Sequence, residues 1–351
     1  MHAEDVRPAA AQPEDARPGD ARGTAGNARA DALPTTFRTE LKSGSGLFGR
    51  PARAATLAFS PDSRLLALGG ESPTVDLWEP REPRLLAQLA GHRPTKLVGT
   101  VQCVAFSPDG RLLASGGRDG TVRLWLAATG ETVEVLGGFP GPVVRIAFSP
   151  TAPILAVADE HSVRLFDLGS RPALQCPVAL PEGGVNALAF HADGSALAVA
   201  LGGRERKGTH RIALVEPVGG RVVHALGDGD FLARSLAFSP DGAVFAAGLR
   251  KDELRLWDTR SWQPIGSLRV PSYSAFALAF SPHGVLGAAC GDRVCMWDPA
   301  TGELLASVKV PYVKNCAVGN VAFSADGRLM ATCRTFAQVR VYATAAQAPG
   351  A

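Results

Sequence analysis

The chain has 351 residues, 46% of them apolar, which is ample material for a core. A formal net charge of +3 makes no general case for nucleic acid or an anionic membrane surface as partner. The N-terminus lacks the apolar stretch of a secretory signal, and no run approaches the roughly 18 apolar residues of a membrane span, so a cytoplasmic location is expected. The six cysteines, Cys103, Cys176, Cys290, Cys295, Cys316 and Cys333, form no CxxC pair and read as buried thiols in a reducing compartment.

Residues 1–33 are rich in Ala, Pro, Gly, Arg and Asp, with one leucine and no aromatic residue. Such a segment buries too little surface to offset chain entropy. It is predicted to be a disordered N-terminal tail, with a peptide that orders on a partner as the other reading. Residues 34–42, PTTFRTELK, have the look of a lone β-strand. Alternation puts Phe37, Thr39 and Leu41 on one face of it. The stretch GSGLFG, with Gly44, Gly46 and Gly49, matches G-x-G-x-x-G, but Pro51 and a strand follow instead of a helix. It is read as a connector, and no dinucleotide cofactor is expected.

From there on one pattern repeats. Ala-Phe followed by a turn recurs at Phe59, Phe106, Phe148, Phe190, Phe238, Phe280 and Phe323, at intervals of 47, 42, 42, 48, 42 and 43 residues. Each unit opens with an apolar strand such as VQCVAF and turns on Ser-Pro-Asp-Gly or a variant of it. A second strand (RLLASGG), a third (TVRLW) and a fourth (TVEVL) follow. Four short strands cannot bury both faces alone, whereas repeating them radially can. The expected fold is therefore all-β, a seven-bladed β-propeller. The alanines before each Phe are expected at the crowded axis, with the Phe on the opposite face between blades. After the last third strand, AQVRVY at 337–342, only nine residues remain. Residues 34–42 are therefore expected to pair beside 338–342 and close the last blade, which removes an open sheet edge. The domain reading is a tail over 1–33 and a propeller over 34–351.

The third strands end in Trp78, Trp125, Trp257-Asp258 and Trp297-Asp298, with Phe166-Asp167, Val215-Glu216 and Tyr342-Ala343 as weaker versions. These units resemble the Trp-Asp (WD) repeat β-propeller family, over residues 34 to about 344. The resemblance implies a hydrogen-bonded tetrad in each repeat, and only the second unit supplies all four members, as His92, Ser115, Asp119 and Trp125. Counting nine residues back from the Phe puts Phe139 and Pro181 at the His position of the third and fourth units, while His92 lies fourteen before Phe106.

The seven inner strands carry no His, Asp or Glu, so acid–base catalysis and metal ligation have no members on the channel wall. His161, His191, His210, His224 and His283 show no metal spacing. Neither enzymatic activity nor a metal or cofactor is expected.

Three connections are longer than their counterparts, by about six residues in GGRERKGTHR, about five in HRPTKLVGT and about three in PYVKNC. All three fall on the face that carries the blade-to-blade loops, which marks it as a contact surface. There Arg204, Arg206, Lys207, Arg250 and Lys251 form a candidate basic patch for an acidic or phosphorylated segment of a partner protein. The function expected is a non-catalytic protein–protein interaction scaffold or regulatory module, monomeric by itself. The alternative is a propeller enzyme or small-ligand binder using the central channel mouth.

Overall fold

A computed structural model describes residues 33–41, 43–45, 51–52, 54–94, 100–170, 174–181, 183–202, 210–229, 232–250, 252–271, 275–311, 318–334 and 339–343. Among them are seven four-stranded antiparallel sheets, one two-stranded ribbon (Ser43–Ser45 with Pro51–Ala52) and no helix. The seven inner strands, each ending in Ala-Phe, are Ala54–Phe59, Val101–Phe106, Val143–Phe148, Val185–Phe190, Ala233–Phe238, Ala275–Phe280 and Val318–Phe323. Each packs beside the next, and the seventh meets the first, so the ring is a closed seven-bladed propeller.

Local chemistry sets the turn after each inner strand. In the first blade Ser60 Oγ donates to Asp62 Oδ1 and accepts the Leu65 N–H at 2.9 Å, while Asp62 Oδ1 accepts the Arg64 N–H. Ser107/Asp109, Ser239/Asp241 and Ser324/Asp326 repeat the device. Glycine supplies the positive φ the turn requires, as at Gly110 (φ 71°).

The core is not central. It is divided into seven apolar clusters, one at each seam between blades. At the seam of blades 7 and 1, Leu57, Leu66, Leu68 and Trp78 pack against Leu329, Ala331, Val339 and Val341. The inner-strand alanines differ from expectation. Ala58 packs into the seam with blade 2 and Phe59 into the seam with blade 7, so both residues lie between blades, on opposite faces. The inner strands converge towards the axis, and only a methyl group fits on the face turned to the next blade.

Blade 7 is completed from the other end of the chain. Thr36–Leu41 pairs antiparallel with Val339–Ala343 at the outer edge of Leu329–Arg334. Leu41 is 1% exposed in the closing seam. Phe37 corrects the expectation of a shared face. The register slips between Phe37 and Thr39, which breaks the alternation and leaves Phe37 49% exposed. Leu33, assigned to the tail by composition, is buried between blades 6 and 7. Residues 1–32 lie outside the described residues, as do 46–50 within the glycine motif.

Candidate partner-binding face

A single irregularity shapes the mouth of the channel. In all seven inner strands the pairing with the second strand slips between the first and third residues. The residue passed over is in turn Ala55, Gln102, Val144, Asn186, Arg234, Phe276 and Gly319. A β-bulge of this kind re-aims a side chain away from the sheet. The first residue of each strand is buried, whereas the bulged residue never is. The bulges therefore form a ring at the end of the channel that also carries the blade-to-blade connections. At its edge the Arg234 guanidinium lies 5.5 Å from the ring centroid of Phe276, which is 37% exposed. Asn186 Nδ2 donates to Gly202 O at 3.0 Å and fixes its side chain on the rim.

The opposite mouth is apolar. Phe59, Phe106, Phe148 and Phe323 line a cavity of about 250 Å³ there, together with Pro61, Pro108 and Pro150 of the turns.

Beside the bulge ring, the second blade holds His92, Ser115, Asp119 and Trp125 in one hydrogen-bonded chain. Trp125 Nε1 donates to Ser115 Oγ at 2.9 Å, Ser115 Oγ to His92 Nε2 at 2.8 Å, and His92 Nδ1 to the Asp119 carboxylate at 3.1 Å. The indole can only donate, which fixes the direction of the chain and the histidine tautomer. Asp119 also accepts from the Arg93 and Thr121 N–H groups and from Thr121 Oγ. Burial alone would raise Asp119, but the hydrogen bonds from His92 and the neighbouring N–H groups outweigh it and hold the carboxyl well below its ordinary range. Gly117 permits this approach, because a Cβ there would come within 2.6 Å of both His92 Nδ1 and Asp119 Oδ1. The offset of His92 is explained too. Residues 95–99 lie between it and the inner strand of its blade, so the extra length follows the histidine.

In the third blade apolar groups fill the same places. Phe139 and Phe166 stand where His92 and Trp125 stand, with ring centroids 6.0 Å apart and the Arg164 guanidinium 4.6 Å over Phe139.

Of the five residues of the basic patch, Arg204, Arg206, Lys207 and Lys251 lie outside the described residues. Arg250 is exposed, and its N–H donates to Leu232 O at 3.2 Å. The three longer connections fall mostly at 95–99, 203–209 and 312–317, also outside the described residues. Cys290 and Cys295 are adjacent and fully buried, and their mutual hydrogen bond together with burial pushes the Cys290 thiol up. Among the described residues no three His, Cys, Asp or Glu side chains gather where they could share a metal ion.

The family model described as "WD domain, G-beta repeat" matches residues 83–125 and 221–258. Each match starts just before an outer strand and runs through the first three strands of the next blade, ending on Trp125 and Asp258. With seven such units closed into a ring, the assignment is decided. The chain is a WD-repeat β-propeller. It is similar to the Periodic tryptophan protein 2 homolog of Schizosaccharomyces pombe, 37% identical over 73 residues. That likeness spans 20% of this chain and 8% of the relative's length. The WD-repeat phase runs one strand ahead of the blade, so the ring needs a strand from the other terminus to close. Sequence reasoning missed the bulge ring, although a signal was present. Across the repeats the second inner-strand position reads A, Q, V, N, R, F and G, while the fifth and sixth read Ala-Phe throughout.

Proposed function

We propose that this WD-repeat propeller is a non-catalytic interaction module that holds partner proteins on the face bearing the bulge ring and the longer loops. The observation that carries this reading is the ring itself. One scaffold geometry repeats the same bulge seven times and turns six different side chains, with Gly319 at the seventh position, towards one mouth, which is an economical way to build a specific surface on a rigid frame. Arg, Phe, Asn and Gln at the ring are groups suited to peptide contacts, and Arg and aromatic residues are enriched where binding energy concentrates. The inner strands offer no carboxylate or imidazole for proton transfer, which favours binding over catalysis. Among the described residues all five cysteines are unbridged, which is in keeping with work in a reducing, cytoplasmic setting.

The test is positional. A photoreactive phenylalanine analogue placed at Gln102, on the ring, should capture partners from extract of the native source. The same residue at Pro61, on the opposite mouth, should capture none of them. Capture only from Pro61, or from neither position, would overturn the reading.

A further inference from the structure

Only two charged residues occur on the seven inner strands, and both are arginines, Arg145 and Arg234. An exposed side chain on an inner strand has one place to go, because each inner strand is flanked by its neighbours on both sides. Arg145 is exposed and at the same time enclosed by the ring, so water reaches it through the channel. Desolvation there pulls its guanidinium below the ordinary value. At the third position of the other strands stand smaller residues, Thr56, Cys103, Ala187, Ser235, Ala277 and Asn320, which fit between blades. Arg145 is too long for that slot and is displaced into the channel. It donates a hydrogen bond to the neighbouring Val144 carbonyl at 2.7 Å. Among the described residues no carboxylate forms an ion pair with it. Asp159, which begins the strand pairing opposite Val143, accepts the N–H groups of His161 and Ser162 and the Ser162 hydroxyl.

Arg234 lies two blades away and one position nearer the rim, with its guanidinium over Phe276. The wall thus presents two guanidinium groups, an aromatic face and the amides of Gln102 and Asn186. Guanidinium groups in such partly desolvated places bind carboxylates through short, charge-assisted hydrogen bonds.

Resting on the interaction reading above, we propose that the channel mouth is an anion-reading site in which Arg145 and Arg234 take the carboxylate side chains of an acidic partner segment. Phe276 covers the aliphatic stem of the inserted residue.

The probe is a fluorescein-labelled octaglutamate, with octaserine and octalysine as controls, followed by polarisation on the full chain at low and moderate salt. Octaglutamate should bind and the controls should not. The Arg145→Gln/Arg234→Gln variant should bind about a hundredfold more weakly, taking about tenfold for each charge-assisted contact. Arg145→Lys/Arg234→Lys should keep most of the affinity, which guards against a loss caused by misfolding. Arg84→Gln, on the outer strand of the first blade, should bind as the parent does. Equal binding of octaglutamate by the parent and the glutamine variant, or binding no stronger than octaserine, overturns the proposal. Partners captured equally well by parent and glutamine variant would leave the interaction reading in place and remove the channel site alone.

Discussion

Arg340 donates to Glu40 Oε2 at 2.8 Å, joining residues 300 positions apart across the strand pair that closes the ring. Both side chains are mostly shielded, at 24% and 27% exposure, so the pair contributes more than a free surface bridge, though on the order of 1 kcal/mol. Apolar burial beside it contributes more, because Leu41 is packed with Leu57, Val339 and Val341. Leu41→Ala should therefore cost about 2–5 kcal/mol, and Leu41→Asp several kcal/mol more, enough to open the seam of blades 7 and 1. Phe37 is half exposed and touches Tyr342 edge-on at 5.9 Å, so Phe37→Ala should cost about 1 kcal/mol. Chemical denaturation measures all three. Equal effects at the two positions would show that the register slip is wrong. Hydrogen exchange adds a second check, with the amides of 36–41 and 339–343 expected to be protected together.

The tetrad of blade 2 yields a sharper contrast. Ser115 both accepts from Trp125 and donates to His92, so Ser115→Ala orphans two buried groups at about 1–3 kcal/mol each. In blade 1 the place of Ser115 is taken by Leu68, and the Trp78 indole N–H has no acceptor among the described residues. Trp78→Phe should consequently cost less than Trp125→Phe. Thermal melts of the two variants check the order, and a larger loss at Trp78 would contradict it.

The fold was legible because its signals are local and repeated. Ala-Phe and Ser-Pro-Asp-Gly are short, and seven copies leave little freedom in the count. Closure was legible by elimination, since the last blade lacks a strand and residues 34–42 have no other partner. What alternation could not reveal were the places where pairing slips. Phe37 left the core because of one bulge, Arg234 and Phe276 reached the channel because of two more, and Arg145 did so because its side chain is too long for the slot between blades. A bulge depends on how two strands meet, and neither strand records it alone. The basic patch was chosen from loop composition, and four of its five residues lie outside the described residues.

Acid sensitivity should pass through Asp119. Its folded carboxyl lies below the ordinary value, so folding gains from its ionised form. That gain is complete above the unfolded value of about 3.9 and is lost as pH falls towards the folded value. The turn aspartates Asp62, Asp109, Asp241 and Asp326 are lowered too and act in the same direction, more weakly where they meet solvent. Unfolding midpoints measured from pH 7 to pH 3 should be flat until about pH 5 and then fall. Asp119→Asn should be less stable at pH 7 and show a shallower fall. A parallel profile for parent and variant would place the acid-sensitive group elsewhere.

Ser63 occupies the position that glycine holds in most of the other inner turns, with φ at 61°. An L-residue there carries a cost of about 1 kcal/mol or slightly more. Something offsets it, because Ser63 Oγ accepts the Asp326 N–H at 3.1 Å across the closing seam, where Arg81 also pairs with Asp326. The two effects can be separated. Ser63→Ala keeps the strained backbone and loses the hydrogen bond, so it should destabilise by about 1 kcal/mol. Ser63→Gly loses the same bond but relieves the strain, and it should lie within about 0.5 kcal/mol of the parent after its unfolded-state entropy is counted. Gly110→Ser, the reverse change in blade 2, introduces strain, and Pro61 is the neighbour a new Cβ would meet, at 3.2 Å, so it should destabilise by about 1–2 kcal/mol. Urea midpoints of the three variants give the order. If Ser63→Gly falls below Ser63→Ala, the serine is held by something other than its bond across the seam, and the balance drawn between strain and closure fails.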